Sequence, residues 1–203
     1  MGIFDFFKNK KKELATSLYG VFKPKIEVVK KFGKWEKNKS VGQKFIENEY
    51  LIGFLNMYIN LGAQANGVKG AEQGRLAAKV YELMDPTFKE FNKLKALMDR
   101  YHELSSKGSK EFKLATDEAF MFYHTVTNHP AINEFSKNKV FKEAQKYINS
   151  GKAQQDHEFA TKMMPKDLYD EKFMESVPEN VLIAYRLFEI TFEKKLNKFF
   201  KIK

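Results

Sequence analysis

Lysines set beside large apolar side chains can bind an anionic surface. Ile3, Phe4, Phe6 and Phe7 lie next to Lys8, Lys10, Lys11 and Lys12, and Trp35 stands within the lysine-rich stretch from Gly33 to Lys39. The apolar groups suit the headgroup boundary of a membrane, and the ammonium groups suit anionic lipid or an acidic partner. A lysine near such a surface contributes on the order of 1 kcal/mol. Fully burying one large apolar side chain contributes roughly 1.5–3 kcal/mol. The same spacing also suits an ordinary first helix whose apolar stripe packs on the body with its lysines outside. Both readings stand on the same residues.

The charge is uneven along the chain. Residues 1–44 hold twelve Lys against Asp5, Glu13, Glu27 and Glu36, a net of +8. Residues 191–203 hold five Lys against Glu193, a net of +4, and the long middle comes to −2. There are 33 Lys and only three Arg, namely Arg75, Arg100 and Arg186. Arginine supplies the bidentate contacts that read phosphate and guanine, so its scarcity argues against sequence-specific nucleic-acid recognition. Nonspecific binding is a competing reading of the basic arm, because Gly33-Lys-Trp-Glu-Lys-Asn-Lys39 interleaves an aromatic with lysines.

Catalytic and metal signatures are sparse. The chain has no Cys, which excludes disulfides, thiolate metal sites and thiol nucleophiles. It contains no phosphate-binding Gly-x-x-x-x-Gly-Lys-Ser/Thr loop, no Gly-x-Ser-x-Gly elbow and no His-Glu-x-x-His. A di-iron bundle wants two Glu-x-x-His pairs, and the nearest approach is Asp99-x-x-His102. His124 and His129 are five apart, which does not put two ligands on one helical face. His129 precedes Pro130 and reads as a helix junction, His124 as a core-edge imidazole, and His157, between Asp156 and Glu158, as part of a solvated face. No catalytic residue, metal ligand or cofactor is expected.

The elements that must position these residues are helices. Apolar residues recur at helical period almost throughout, and no stretch shows strand-like alternation. Ile3, Phe7, Leu14, Leu18 and Phe22, with Phe4 and Ala15 beside them, predict a first helix over about 3–22. Pro24, Gly33 and the Lys/Asn-rich run predict irregular structure to Lys39, with a short helix near Ile26–Lys31. Ser40-x-x-Gln43 is a capping-box pattern and opens a helix that stops near Asn66-Gly67. Its densest part, Tyr50 to Leu61, reads as a buried core helix. Asp85-Pro86 ends the next helix and Pro86 opens another, with Phe88, Phe91, Leu94, Met98 and Tyr101 on its face. Ser105 to Lys110 reads as a loop, and Phe112 to Val126 as a helix ended by His129-Pro130. Ile132 to Ile148 follows as one stripe. A shorter helix covers about Ala153 to Met164. Ser176-x-x-Glu179, with Pro178 in the first turn, opens a last, highly apolar helix expected at the centre of the core.

The segment Ala65-Asn66-Gly67-Val68, with Glu72 opening the next helix, resembles the helix–loop–helix of tellurite-resistance TerB-like domains. Those carry an Ala-Asp-Gly-x-Ile pattern followed by Glu-Glu, and the opening Met-Gly-Ile-Phe-Asp-Phe-Phe is similar in style to some of them. The likeness covers about 40 residues plus the start. Asn66 replaces the family's acid and Gln73 its second Glu. The resemblance implies a small-ligand or metal-binding helical bundle.

The expectation is a compact all-α bundle of about seven to nine helices. A basic N-terminal helix and arm, 1–39, would join a helical body, 40–203, in one compact domain. No apolar run reaches the ~20 residues that span a bilayer. The apolar stretch Ile3–Phe7 is interrupted by Asp5 and precedes its lysines, unlike a signal peptide. A cytoplasmic, membrane-associated location is expected. The expected role is that of a non-enzymatic interaction protein, either peripheral to an anionic membrane or docking an acidic protein partner. The expected contact residues are Ile3, Phe4, Phe6, Phe7, Lys8, Lys10, Lys11, Lys12 and Trp35.

Overall fold

A computed structural model describes residues 3–36, 38–152 and 177–202, with side chains from Lys10 onward. The fold is an all-α bundle, and no strand occurs among the described residues. The expected helix at 153–164, and Ser176 of the second capping box, lie outside them.

The described chain divides into two compact units, Met1–Phe120 with Glu193–Lys203, and Met121–Phe192. In the first, α1 (Ile3–Phe32) packs along α4 (Ala71–Met84). Helix α1 does not stop near Phe22 but runs through Pro24. A proline inside a helix removes one hydrogen bond and crowds the carbonyl four residues back, at about 3 kcal/mol. Phe22, Ile26 and Val29 flank it and are fully buried. Each contributes roughly 1.5–3 kcal/mol, so burial outweighs the break.

The capping box at Ser40 forms as its residues predict. The Gln43 N–H donates to Ser40 Oγ at 3.2 Å, and the Ser40 N–H to Gln43 Oε1 at 2.9 Å. The helix it opens is only α2 (Val41–Phe45). A new start follows at Asn48, whose side chain accepts from the Leu51 N–H at 3.1 Å and caps α3 (Glu49–Ala65). Helix α3 is the core helix expected at Tyr50–Leu61: Tyr50 to Asn56, Tyr58, Ile59, Gly62 and Ala63 are all buried. Helix α1 approaches closely at Gly62, where a Cβ would lie 2.5 Å from a Leu18 methyl and the Leu18 side chain would have to shift.

Buried Asp85 closes α4 and ties α2 to it. Its carboxylate accepts from the Gly42 N–H at 2.7 Å and the Thr87 N–H at 3.0 Å. Burial opposes its ionisation, yet hydrogen bonds from the Ser40 hydroxyl and from these backbone groups hold its pKa below the usual carboxylate range. A 3-10 turn (Pro86–Lys89) separates it from α5 (Phe91–Lys107), so Pro86 does not open α5 itself. Leu97 and Leu104 face the core, while Phe91 is exposed. Helix α5 absorbs most of the expected loop and ends at Gly108, whose left-handed φ of 57° suits glycine. Helix α6 (Lys110–Val126) then begins.

In the second unit, a 3-10 stretch (Pro130–Lys137) and α7 (Lys139–Asn149) replace the single expected stripe. Asn138 breaks it, accepting from the Val140 and Phe141 N–H groups. Met121, Phe141, Ala144, Ile183 and Leu187 form the core of this unit. Helix α8 (Glu179–Phe188) has Pro178 as its N-cap and not in its first turn. One side of it is open, since Tyr185 is exposed. It continues through one wide π turn (Glu189–Glu193) into α9 (Lys194–Phe199). Ala184, Phe188, Phe192, Leu196 and Phe200 are all buried at strict four-residue spacing. A regular helix of 3.6 residues per turn drifts about 40° at each such step. The wide turn takes up part of that drift.

Candidate anion-binding surfaces

The first unit brings both lysine-rich segments together. The Lys34 N–H donates to the Phe200 carbonyl at 2.9 Å, and Lys25 pairs with Glu193 at 2.6 Å. Trp35 meets Phe200 edge-on at 5.6 Å, and its indole N–H donates to the Lys39 carbonyl at 2.9 Å. Trp35 is therefore half-buried and caps this junction. A cleft of about 960 Å³ opens beside it, walled by Trp35, Tyr50 and Phe199 and rimmed by lysines and glutamates.

Most charges in the cleft are paired. Lys44 lies 2.6 Å from Glu47 and 3.5 Å from Glu36, and Lys195 lies 2.9 Å from Glu111. Glu49 pairs with Arg100 at 3.3 Å. The Lys44 and Lys195 ammonium groups also sit over the Phe199 and Tyr50 rings, at 5.0 and 5.1 Å. Among the described residues, Lys34, Lys198 and Lys201 make no ion pair. Behind the wall, the Tyr50 hydroxyl donates to Glu118. Burial raises the Glu118 pKa more than this hydrogen bond lowers it.

Helix α1 supplies a second basic surface. Ala15, Leu18, Tyr19, Phe22, Ile26 and Val29 are buried on one side. Burial pushes the Tyr19 pKa up to about 12. The other side leaves Val21 36%, Val28 38% and Phe32 56% exposed, at spacings of seven and four that share a helical face. Lys10, Lys12, Lys23 and Lys31 are exposed along the helix and make no ion pair among the described residues. Lys11 differs: it is half-buried and bonded to Glu72 of α4.

Of the contact residues expected from sequence, Ile3, Phe4, Phe6, Phe7 and Lys8 fall in the first turns of α1, and their side chains are outside the description. Lys10 and Lys12 face solvent, Lys11 faces α4, and Trp35 joins the cleft. The expected stripe is buried at Ala15, Leu18 and Phe22, while Leu14 is half-buried. Sequence reasoning missed Val21, Val28 and Phe32, although their spacing was readable. It also missed Lys34, Lys198 and Lys201 as a group, since no local pattern joins residues over 160 positions apart.

Several of the polar side chains singled out by their spacing have partners within the fold. Asp99 pairs with Lys95 at 2.7 Å, and Asn66 caps α3 by donating to the Gly62 carbonyl at 2.8 Å. Glu72 is taken by Lys11 and Arg75. His129 caps the 3-10 stretch, its Nδ1 accepting from the Ala131 N–H at 3.2 Å. Its ring lies 4.4 Å from that of His124 despite the five-residue spacing. Burial and then His129 lower the His124 pKa. Among the described residues, no group of three or more His, Cys, Asp or Glu is placed to hold a metal ion, and none of the helices is long and apolar enough to cross a membrane. The chain matches no family model, no curated protein and no solved structure.

Proposed function

We propose that this chain is a non-enzymatic interaction protein that docks on an anionic membrane surface through the outward side of α1. The observation that carries this reading is the exposed set Val21, Val28 and Phe32 on a helix whose accessible lysines outnumber its acids. Between Lys10 and Phe32 the only acids are Glu13 and Glu27, and Glu27 already pairs with Lys30 at 2.8 Å. A helix of this pattern lies in the interface, its apolar side chains entering the headgroup boundary while lysines meet lipid phosphates. Lys10 and Lys31 on that side, at on the order of 1 kcal/mol each, with partial burial of three apolar groups, support reversible attachment.

Co-sedimentation with vesicles tests the proposal. Binding to phosphatidylcholine vesicles containing phosphatidylserine is expected, with little binding to phosphatidylcholine alone. Binding that is equal on both, or absent from both at low salt, defeats it. Tight binding to heparin or single-stranded DNA without vesicle binding would assign the basic face to a polyanion instead.

A further inference from the structure

The cleft between the Trp35 segment and α9 carries a separate inference, independent of the membrane reading. We infer that it binds a small organic anion: a phosphate or carboxylate head on a planar apolar body. Its volume of about 960 Å³ falls at the upper end of the range of small-molecule sites. Trp35, Tyr50 and Phe199 supply aromatic wall, and Lys34, Lys198 and Lys201 supply positive charge that no acid neutralises among the described residues. The glutamates on the rim do not cancel that charge. Glu36 and Glu47 are engaged by Lys39 and Lys44 together, Glu111 by Lys195, and Glu49 by Arg100.

The backbone at Lys201 gives a second, independent argument. Helix α9 ends in a two-bond wrap, with the Ile202 N–H donating to the Asn197 carbonyl at 2.9 Å and the Lys201 N–H to the Lys198 carbonyl at 3.3 Å. The central residue of this ending adopts left-handed dihedrals and is usually glycine. Here it is Lys201, at φ 53°. A side chain at this position puts Lys201 in the cleft lining at a backbone cost that glycine would not carry. No arginine lines the cleft, so the head is held by point charges and not by a rigid fork. Phosphate and carboxylate heads are both accommodated by such a set.

Trp35 is the only tryptophan in the chain, so its fluorescence reports the cleft directly. The test titrates the full chain with phenyl phosphate, phenylacetate, inorganic phosphate and benzyl alcohol. A saturable change in Trp35 emission is expected with phenyl phosphate and phenylacetate. Inorganic phosphate should bind more weakly and benzyl alcohol should give no saturable change. The variant Lys34→Gln, Lys198→Gln, Lys201→Gln should lose roughly tenfold or more in affinity for phenyl phosphate. Lys201→Gly separates binding from structure: it should raise the melting temperature and still weaken phenyl phosphate. The inference is overturned if no anion shifts Trp35, if benzyl alcohol binds as well as phenyl phosphate, or if Lys201→Gly binds as tightly as the parent. Vesicle binding through α1 is read separately, so either idea can fail alone.

Discussion

The outward side of α1 and the cleft beside Trp35 are both basic, yet their lysines stand in different company. On α1, Lys10 and Lys31 share the outward side with Val21, Val28 and Phe32, while Lys12 and Lys23 project from the opposite flank. In the cleft, Lys44 and Lys195 are bound by Glu36, Glu47 and Glu111, and three lysines are left over. The first arrangement suits an extended surface, because its charge is spread along a rod and its apolar groups need somewhere to go. The second suits a compact ligand, because the charge left after pairing is small and concentrated. Net charge alone does not distinguish these uses; the partners of each lysine do.

The largest effect that separates the two surfaces should come from Asp85→Ala. It strips the acceptor from the Gly42 and Thr87 N–H groups, and a stability loss of roughly 3 kcal/mol is expected by urea denaturation. The damage should fall on α2, which carries Lys44, and leave vesicle binding by α1 intact in the folded fraction. The pH dependence has a definite sign. The folded pKa of Asp85 is depressed, so its contribution is complete above the unfolded value of about 4 and is lost as pH falls through the folded value.

Next in size is Phe32→Ser with Val28→Ser. Vesicle affinity should fall about tenfold by co-sedimentation, while the melting temperature stays near that of the parent. Salt gives a smaller contrast. Raising ionic strength to about 1 M cuts the screening length to about 3 Å, so vesicle binding should weaken well before folding stability does. The smallest expected effect is that of Glu111→Gln. It frees Lys195, so phenyl phosphate affinity should rise about twofold, with a stability change within about 1 kcal/mol. A fall in affinity would show that Glu111 contributes to the site itself.

Much of the helical architecture was legible because local patterns and burial agree. The capping box at Ser40, the buried stretch from Tyr50 to Leu61 and the stop at Asp85-Pro86 all form as the residues suggest. Element lengths were harder, because they depend on distant packing. Pro24 reads as a stop, and only the burial of Phe22, Ile26 and Val29 carries α1 past it. Ser40 reads as the start of one long helix, and the Asn48 cap that divides it is visible only once its side chain is seen to accept from Leu51. The basic segments were conspicuous in the sequence, but their meeting at Lys34 and Phe200 is a tertiary fact. The exposed face of α1 was not legible because Val21, Val28 and Phe32 are as apolar as the stripe that packs, and only tertiary burial separates the two sets; residues 21, 28 and 32 carry the proposed contact.

The wide turn at Glu189–Glu193 has a genetic corollary. It is the form that a one-residue insertion takes when a helix keeps its old neighbours. Removing one residue, such as Ile190, would leave the buried positions spaced four, three, four and four, which an ordinary helix keeps on one side. The shortened chain should therefore fold, with the π turn gone. In this helix the reading frame of the structure is looser than that of the gene.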